Sequence, residues 1–317
     1  MEGYKYQHND KGILSAVVES GDNEGIVPRS IKHVFDLINS ESALGHKKFT
    51  VSCSYFQVYK EKIYDLLNKA HLKRIVTDGP GLKLKLVKDI FTVENLYTFE
   101  CRNAEDVLAL YHFGLKNKVV ASHNMNSASS RSHSMLKLSV ECVDSKHPDN
   151  IVVSTLQLVD LAGSERQSLT GNVTSKESID INKSLLTLRQ VITALTEQGD
   201  NYVPYRDSKL TCLLRQSLGG NSFCLMLACL NPCDQHIEEN LSTLAYAAKA
   251  SVIVNKPSKN EDHKTKQIED LKMQVRILNE ELRKANETIA FLTALTGQSP
   301  NLNFNGVMSQ GNRNSQK

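Results

Sequence analysis

A chain of 317 residues with 40% apolar and 23% charged residues lies in the ordinary folded range and is long enough for one large domain plus an appendage. Its formal charge of +3 is too mild for the field of the whole molecule to hold a polyanion, which leaves nucleic acid unsupported and requires an acidic partner to meet a local basic patch. Seven cysteines without a C-x-x-C pair point away from disulfides or zinc and towards a reducing compartment, while the longest apolar runs, such as Cys224–Leu230, fall far short of a bilayer span and Met1–Lys5 lacks the apolar stretch of a signal peptide.

Residues 4 to 25 are weakly patterned around Ile13-Leu14 and predict a long surface loop. Pro28 then sits in the first turn of a helix, where its missing N–H is harmless, with Ile31, Val34, Phe35 and Ile38 on one face. Phe49–Tyr59 is β-branched and aromatic enough for a buried strand. Asn103 is placed to cap a helix whose inner stripe is Val107, Leu108 and Tyr111, and Gly114 predicts its end.

Ser134–Val140 and Ile151–Val159 predict a strand hairpin across the turn-rich Asp144–Asn150. Helices over Ile181–Gln198, Ser208–Leu218 and Ile237–Ala250, with a strand over Phe223–Leu230, complete an alternating α/β pattern. Asn255–Asn260 is a polar linker in which Pro257 forbids a helix. From Ile268 the apolar residues Leu271, Val275, Leu278, Leu282, Ala285, Ile289 and Leu292 follow in steps of three and four. That seam fits a parallel two-stranded coil, or an amphipathic helix folded back on the domain. The end of the chain is rich in Asn, Ser and Gln and predicts disorder.

Two polar segments lie at strand ends, where open α/β sheets bind ligands. In Asn126–His133, three hydroxyls and the Arg131 guanidinium fall within five residues, a set that can coordinate magnesium, orient water and meet a phosphate or carboxylate. In Asp160–Glu165, a carboxylate ends an apolar strand and Gly163 offers an N–H that a terminal phosphate can approach. Taken singly, the first also reads as a solvated turn and the second as a helix cap.

Together they resemble the two nucleotide-sensing switches of the kinesin motor family. The resemblance also runs through Ser54–Tyr59, Glu61–Leu67, Ile181–Leu185, Tyr202–Thr211 and Ser217–Asn221, and it covers residues 1 to about 256. It implies an α/β, P-loop NTPase type of motor fold, with a central mixed sheet flanked by helices, ATP and Mg2+ as cofactors, and microtubules as partner. The implied domains are an incomplete motor domain over 1–252, a neck linker over 253–266, a coiled-coil helix over 267–295 that makes a homodimer, and a tail over 296–317. No membrane insertion is expected, and the implied location is cytoplasm and cytoskeleton.

By the same resemblance, Ser130 ligates the magnesium, Asp160 holds it through water, Gly163 senses the γ-phosphate and Ser129 places the attacking water. Asn126 joins Ser130 and Gly163 among the nucleotide-binding residues. Arg131 and Glu165 form the ion pair that closes the site, a kind of pair that costs about 3–5 kcal/mol to break from one side when partly buried. Arg166, Lys183, Arg206, Lys209 and Arg215 carry the microtubule contact, with Cys212 standing where an arginine is common and Arg215 as a substitute charge.

The sequence contains no G-x-x-x-x-G-K-[ST] phosphate loop. In the family, the segment matched by Met1-Glu2-Gly3 comes just after that loop, so the expectation is a chain that begins past the phosphate-gripping lysine. Without those donors, each worth about 2.7–4 kcal/mol in comparable sites, hydrolysis by the isolated chain should be negligible. The readings in competition are an ATP-hydrolysing motor of which this is the larger part, and a dimeric module that grips microtubules without turnover.

Overall fold

In the computed structural model the described residues are Met1, 4–8, 14–18, 24–71, 79–123, 132–146, 148, 151–163, 176–197, 202–260 and 263–296. They divide into two units, Met1–Glu261 and Asp262–Lys317.

The first unit is built on one sheet. Strand β3 (Lys47–Tyr59) lies at its centre and pairs along its length with β8 (His133–Asp144), which in turn pairs with β9 (Ile151–Asp160). The other edge of β3 is shared by β4 (Lys62–Asp65) and β7 (Phe99–Cys101). All of these ladders are antiparallel.

Alternation along β3 and β8 sorts side chains onto two faces, as the period of two requires. Val51, Cys53, Tyr55, Leu136 and Leu138 face helices α1 (Ile26–Ala43) and α2 (Ala104–His123), meeting Val27, Ile31, Phe35, Val107, Tyr111 and Leu115 in one buried cluster. Phe56, Val58 and Met135 face the other way, onto Leu188, Val191 and Ile192 of α3 (Lys176–Thr196) and Leu210 and Leu214 of the short α4 (Lys209–Leu214). The result is a helix–sheet–helix sandwich with β3 and β8 buried in the middle.

Several expectations hold. Pro28 lies in the first turn of α1, Asn103 accepts the Asp106 N–H at 2.8 Å as an N-cap, and the β8–β9 hairpin forms. Helix α5 (Ile237–Ser251) and the helix-free stretch 253–260 stand where the sequence puts them.

Three expectations are corrected. Residues 4 to 25 are not one loop, because β1 (Tyr4–His8) and β2 (Leu14–Val18) pair as an antiparallel hairpin. Here the turn-type residues Asn9, Asp10 and Gly12 lie between two pairing segments. Gly114 does not end α2, which continues for nine more residues to His123. A Cβ at Gly114 would stand 2.2 Å from Cδ1 of Tyr55, so this glycine serves close helix–strand approach, not a stop. Phe223–Leu230 forms no strand; it has no regular secondary structure and is exposed throughout. A further small hairpin, β5 (Leu84–Val87) with β6 (Ile90–Val93), lies beside α4.

The second unit is described only through α6 (His263–Thr296), a helix of 34 residues that contains the seam from Ile268 to Leu292. Leu271, Val275, Leu278, Leu282 and Ile289 are exposed on it. The expected tail after Gly297 lies outside the described residues.

Candidate functional site

The β8–β9 register decides where the two switch-like segments meet. Ser134, one residue beyond the Asn126–His133 segment, stands directly opposite Asp160, so β8 starts where β9 ends. Ser129, Ser130, Arg131, Asn126, Glu165 and Arg166 lie outside the described residues. The sheet nevertheless brings the flanks of both segments to one end, with Ser132, His133 and Ala162 buried there.

His133 joins three elements at this end. Its Nδ1 accepts the Ala162 N–H at 3.0 Å, which assigns the ring proton to Nε2, and Nε2 lies 2.8 Å from the Ser184 hydroxyl of α3. Burial pushes the imidazole down to about 4, with Asp160 opposing and Lys118 reinforcing the shift. His133 is therefore a neutral strut that ties the Asp160–Gly163 turn to β8 and α3. Gly163 follows two residues after Leu161, half-buried.

Asp160 is half-exposed, at 46% of its side chain, and its Oδ2 receives a 2.9 Å ion pair from Lys118 of α2. The Lys118 side chain is only 8% exposed and also donates to the Ser134 hydroxyl at 3.1 Å. The sequence reading missed this lysine, although Val107, Tyr111, Leu115 and Lys118 fall on one stripe of α2, which marks a cation pointing inward. A small, mostly apolar cavity adjoins Asp160, lined also by Ser134, Met1, Val27, Tyr55, Tyr111, Leu136 and Leu158. The Val27 N–H donates to the Met1 carbonyl at 3.2 Å. A half-exposed carboxylate beside a serine hydroxyl offers hard oxygens of the kind magnesium prefers, so Asp160 fits a role at Mg2+.

A second constellation uses the expected cations. Glu61 accepts from the Ser208 hydroxyl at 2.7 Å and from the Lys209 N–H at 2.8 Å, fixing the start of α4. Ser208 caps that helix through the Leu210 N–H, and Thr211 donates to the Tyr205 and Ser208 carbonyls. The Glu61–Leu67 and Tyr202–Thr211 motifs are thus one brace, and it presents Arg206 outward. Lys183 is exposed on α3, away from this brace in sequence but on the helix that packs against α4. Arg215 does not stand free: it pairs with Asp89 of the β5–β6 turn at 2.7 Å and lies 5.6 Å over the Tyr205 ring. Cys212 is buried, with its thiol 3.2 Å from the Tyr205 carbonyl.

The profile of the Kinesin motor domain family matches residues 11–253, well over half of the chain. This chain belongs to the kinesin motor domain family. The chromosome-associated kinesin KIF4 of Xenopus laevis is 37% identical over 322 residues, covering 99% of this chain and 25% of that protein. KIF4 of Mus musculus is 40% identical over 273 residues, with 84% and 21% covered, and human KIF4B is 40% identical over 282 residues, with 87% and 22% covered. The chain spans about a quarter of the length of these curated relatives. The solved structure of a fast kinesin superposes with a TM-score of 0.69 at 34% identity, covering 78% of this chain and 68% of that one. The kinesin-type α/β fold is thereby established, and Asp160 and His133 lie in its sheet with Lys118 on a helix that packs against it. Among the described residues no helix is long and apolar enough to cross a membrane.

Proposed function

We propose that this chain is the larger part of a microtubule motor domain that couples ATP hydrolysis to movement. The observation that carries the reading is the Ser134–Asp160 pairing, which sets the end of the first switch-like segment and the start of the second at one sheet end beside the Lys118 cation. Here Asp160 and Ser130 would hold magnesium, with Asn126, Ser130 and Gly163 around the nucleotide, Ser129 placing water, and Arg131 with Glu165 closing the site. Bound Mg-ATP supplies the scissile phosphate and the charge that the switches sense.

What the described residues do is position and neutralise. Lys118 holds the Asp160 carboxylate in place, and His133 tethers the backbone that leads to Gly163, so a displacement at Gly163 is transmitted to Ser184 on α3. Helix α3 also carries Lys183, one of the cations assigned to the filament with Arg166, Arg206, Lys209 and Arg215. The exposed hairpin lysines Lys85 and Lys88 would add to this cationic face. Acidic tubulin favours such a face without a large net charge.

The domain plan is a motor over 1–252, a linker over 253–266 and a dimerising helix over 267–295, supported by the exposed apolar seam of α6. Cytoplasmic microtubules are the site of action, and the likeness to chromosome-associated kinesins makes chromosomes a cargo to test. The rival is a dimer that grips microtubules without turnover. Cosedimentation of the polypeptide with microtubules in ADP and in a non-hydrolysable ATP analogue separates the two. A Kd that changes at least about fivefold between nucleotides is the motor result, and Asp160→Ala should abolish the difference. An affinity blind to nucleotide overturns nucleotide sensing by this polypeptide, and an absence of pelleting removes both.

A further inference from the structure

We infer that Asp89, the single carboxylate of the lysine-bearing β5–β6 hairpin, is a positioning residue for filament binding: it strengthens the hold on an acidic partner by clamping the hairpin tip to the end of α4. The inference rests on the filament-binding reading above and adds to it a residue whose own charge is of the wrong sign for direct contact.

The hairpin needs an external hold. From Lys83 to Val93 it carries three lysines and one carboxylate. Strands β5 and β6 are four residues each, and a two-stranded hairpin is marginal by itself in water. Val87 pairs with Ile90, so Lys88 and Asp89 form a two-residue turn, and both have left-handed backbone, with φ of +48° and +68°. Turns of this shape favour Asn-Gly or Asp-Gly. A lysine at the first position is strained, and such strain persists only where the surroundings impose it.

The contacts that impose it converge on Asp89. Its carboxylate pairs with the Arg215 guanidinium at 2.7 Å, and its backbone carbonyl accepts from the Gln216 amide at 3.0 Å. Arg215 is the residue that ends α4, and it lies 5.6 Å over the ring of Tyr205, whose hydroxyl donates to the Leu218 carbonyl. The Arg215 side chain is 27% exposed and that of Asp89 67%, so the guanidinium is the fixed member and the turn is the part held. An isolated exposed pair contributes little, but here one turn residue meets two consecutive residues of a helix end, which fixes orientation as well as distance. At the base of the hairpin, Leu84 and Val93 pack against the core that contains Leu210 and Leu214 of α4. The tip is exposed at Leu86, Val87 and Ile90, and Asp89 ties it down.

The charge of Asp89 separates this role from a bystander's. A bystander carboxylate facing an acidic filament opposes binding, so its neutralisation would tighten the complex. The clamp requires the opposite. Without the pair, the tip and its Lys85 and Lys88 charges must be ordered on binding, and that ordering weakens the complex. Asparagine tolerates left-handed backbone, so Asp89→Asn removes the charge and leaves the turn residue suitable.

Cosedimentation of the full chain with microtubules at one fixed salt concentration decides between the two signs. Asp89→Asn should raise Kd at least about threefold although it adds a unit of positive charge, and Asp89→Glu, which retains the carboxylate, should recover most of the loss. Hydrogen exchange of the free chain reads the clamp without filament. The amides of 84–93 should exchange at least about fivefold faster in Asp89→Asn, while those of β8 keep their rates. An unchanged or lower Kd in Asp89→Asn overturns the positioning role, and unaltered exchange overturns the clamp. A wild-type chain that fails to pellet removes the filament reading and this role with it; faster exchange in Asp89→Asn would still show the clamp, so the two failures are told apart.

Discussion

Strand β8 is only half apolar and the segment Phe223–Leu230 is wholly apolar, yet it is β8 that is buried. Leu136 and Leu138 of β8 lie between two paired strands and under two helices, at 2% and 0% exposure. Leu225 and Leu227 make no ladder and face solvent. Composition confers the capacity to be a strand, and neighbours on both edges decide whether that capacity becomes burial.

The largest effect that sharpens this contrast is Leu138→Ala. The side chain is fully buried in the α1–α2 layer, so its loss should cost about 2–5 kcal/mol of unfolding free energy in a urea titration. A cost below about 1 kcal/mol would show that β8 is no better packed than the exposed segment.

Gly114→Ala comes next. The new methyl would meet the Tyr55 ring, which is itself buried and packed 5.5 Å from Tyr111, so neither partner has room to give. Overpacking of this kind should cost about 1–3 kcal/mol, measured by the same titration. A neutral or stabilising result would restore Gly114 to the role of a mere helix weakness.

His133 tests the site end of the sheet by pH. Its folded pKa of about 4 lies below the ordinary 6.5, so the unfolded chain binds a proton first as pH falls. The sign is therefore a stability contribution present above about 6.5 and lost progressively down to about 4. His133→Gln, which retains a donor and an acceptor, should flatten that part of the stability profile. A slope unchanged in the variant would place the titration elsewhere.

The strand end that carries Asp160 was legible in sequence, and what was not legible around it has physical causes. Asp160 could be read because a carboxylate closing an apolar strand is a local pattern. Lys118 could not be read as its partner, because the pairing depends on how α2 lies across β8, a matter of 42 residues of separation. Gly114 was misread because a glycine in a helix signals an end only when no ring from another element occupies the space of its Cβ. Residues 4 to 25 were misread because their alternation is short and polar. The strand expected over Phe223–Leu230 was wrong, since a ladder needs a second strand that no local rule supplies.

The smallest expected effect carries the comparison furthest. Leu225→Ala removes the same atoms as Leu138→Ala, yet at 81% exposure it gives up almost no buried area. Its effect on unfolding free energy should stay within about 0.5 kcal/mol, as for other surface changes. Chemistry being equal, the gap between the two variants measures what strand neighbours contribute. A cost above about 1 kcal/mol at Leu225 would mean that the segment is already covered in solution.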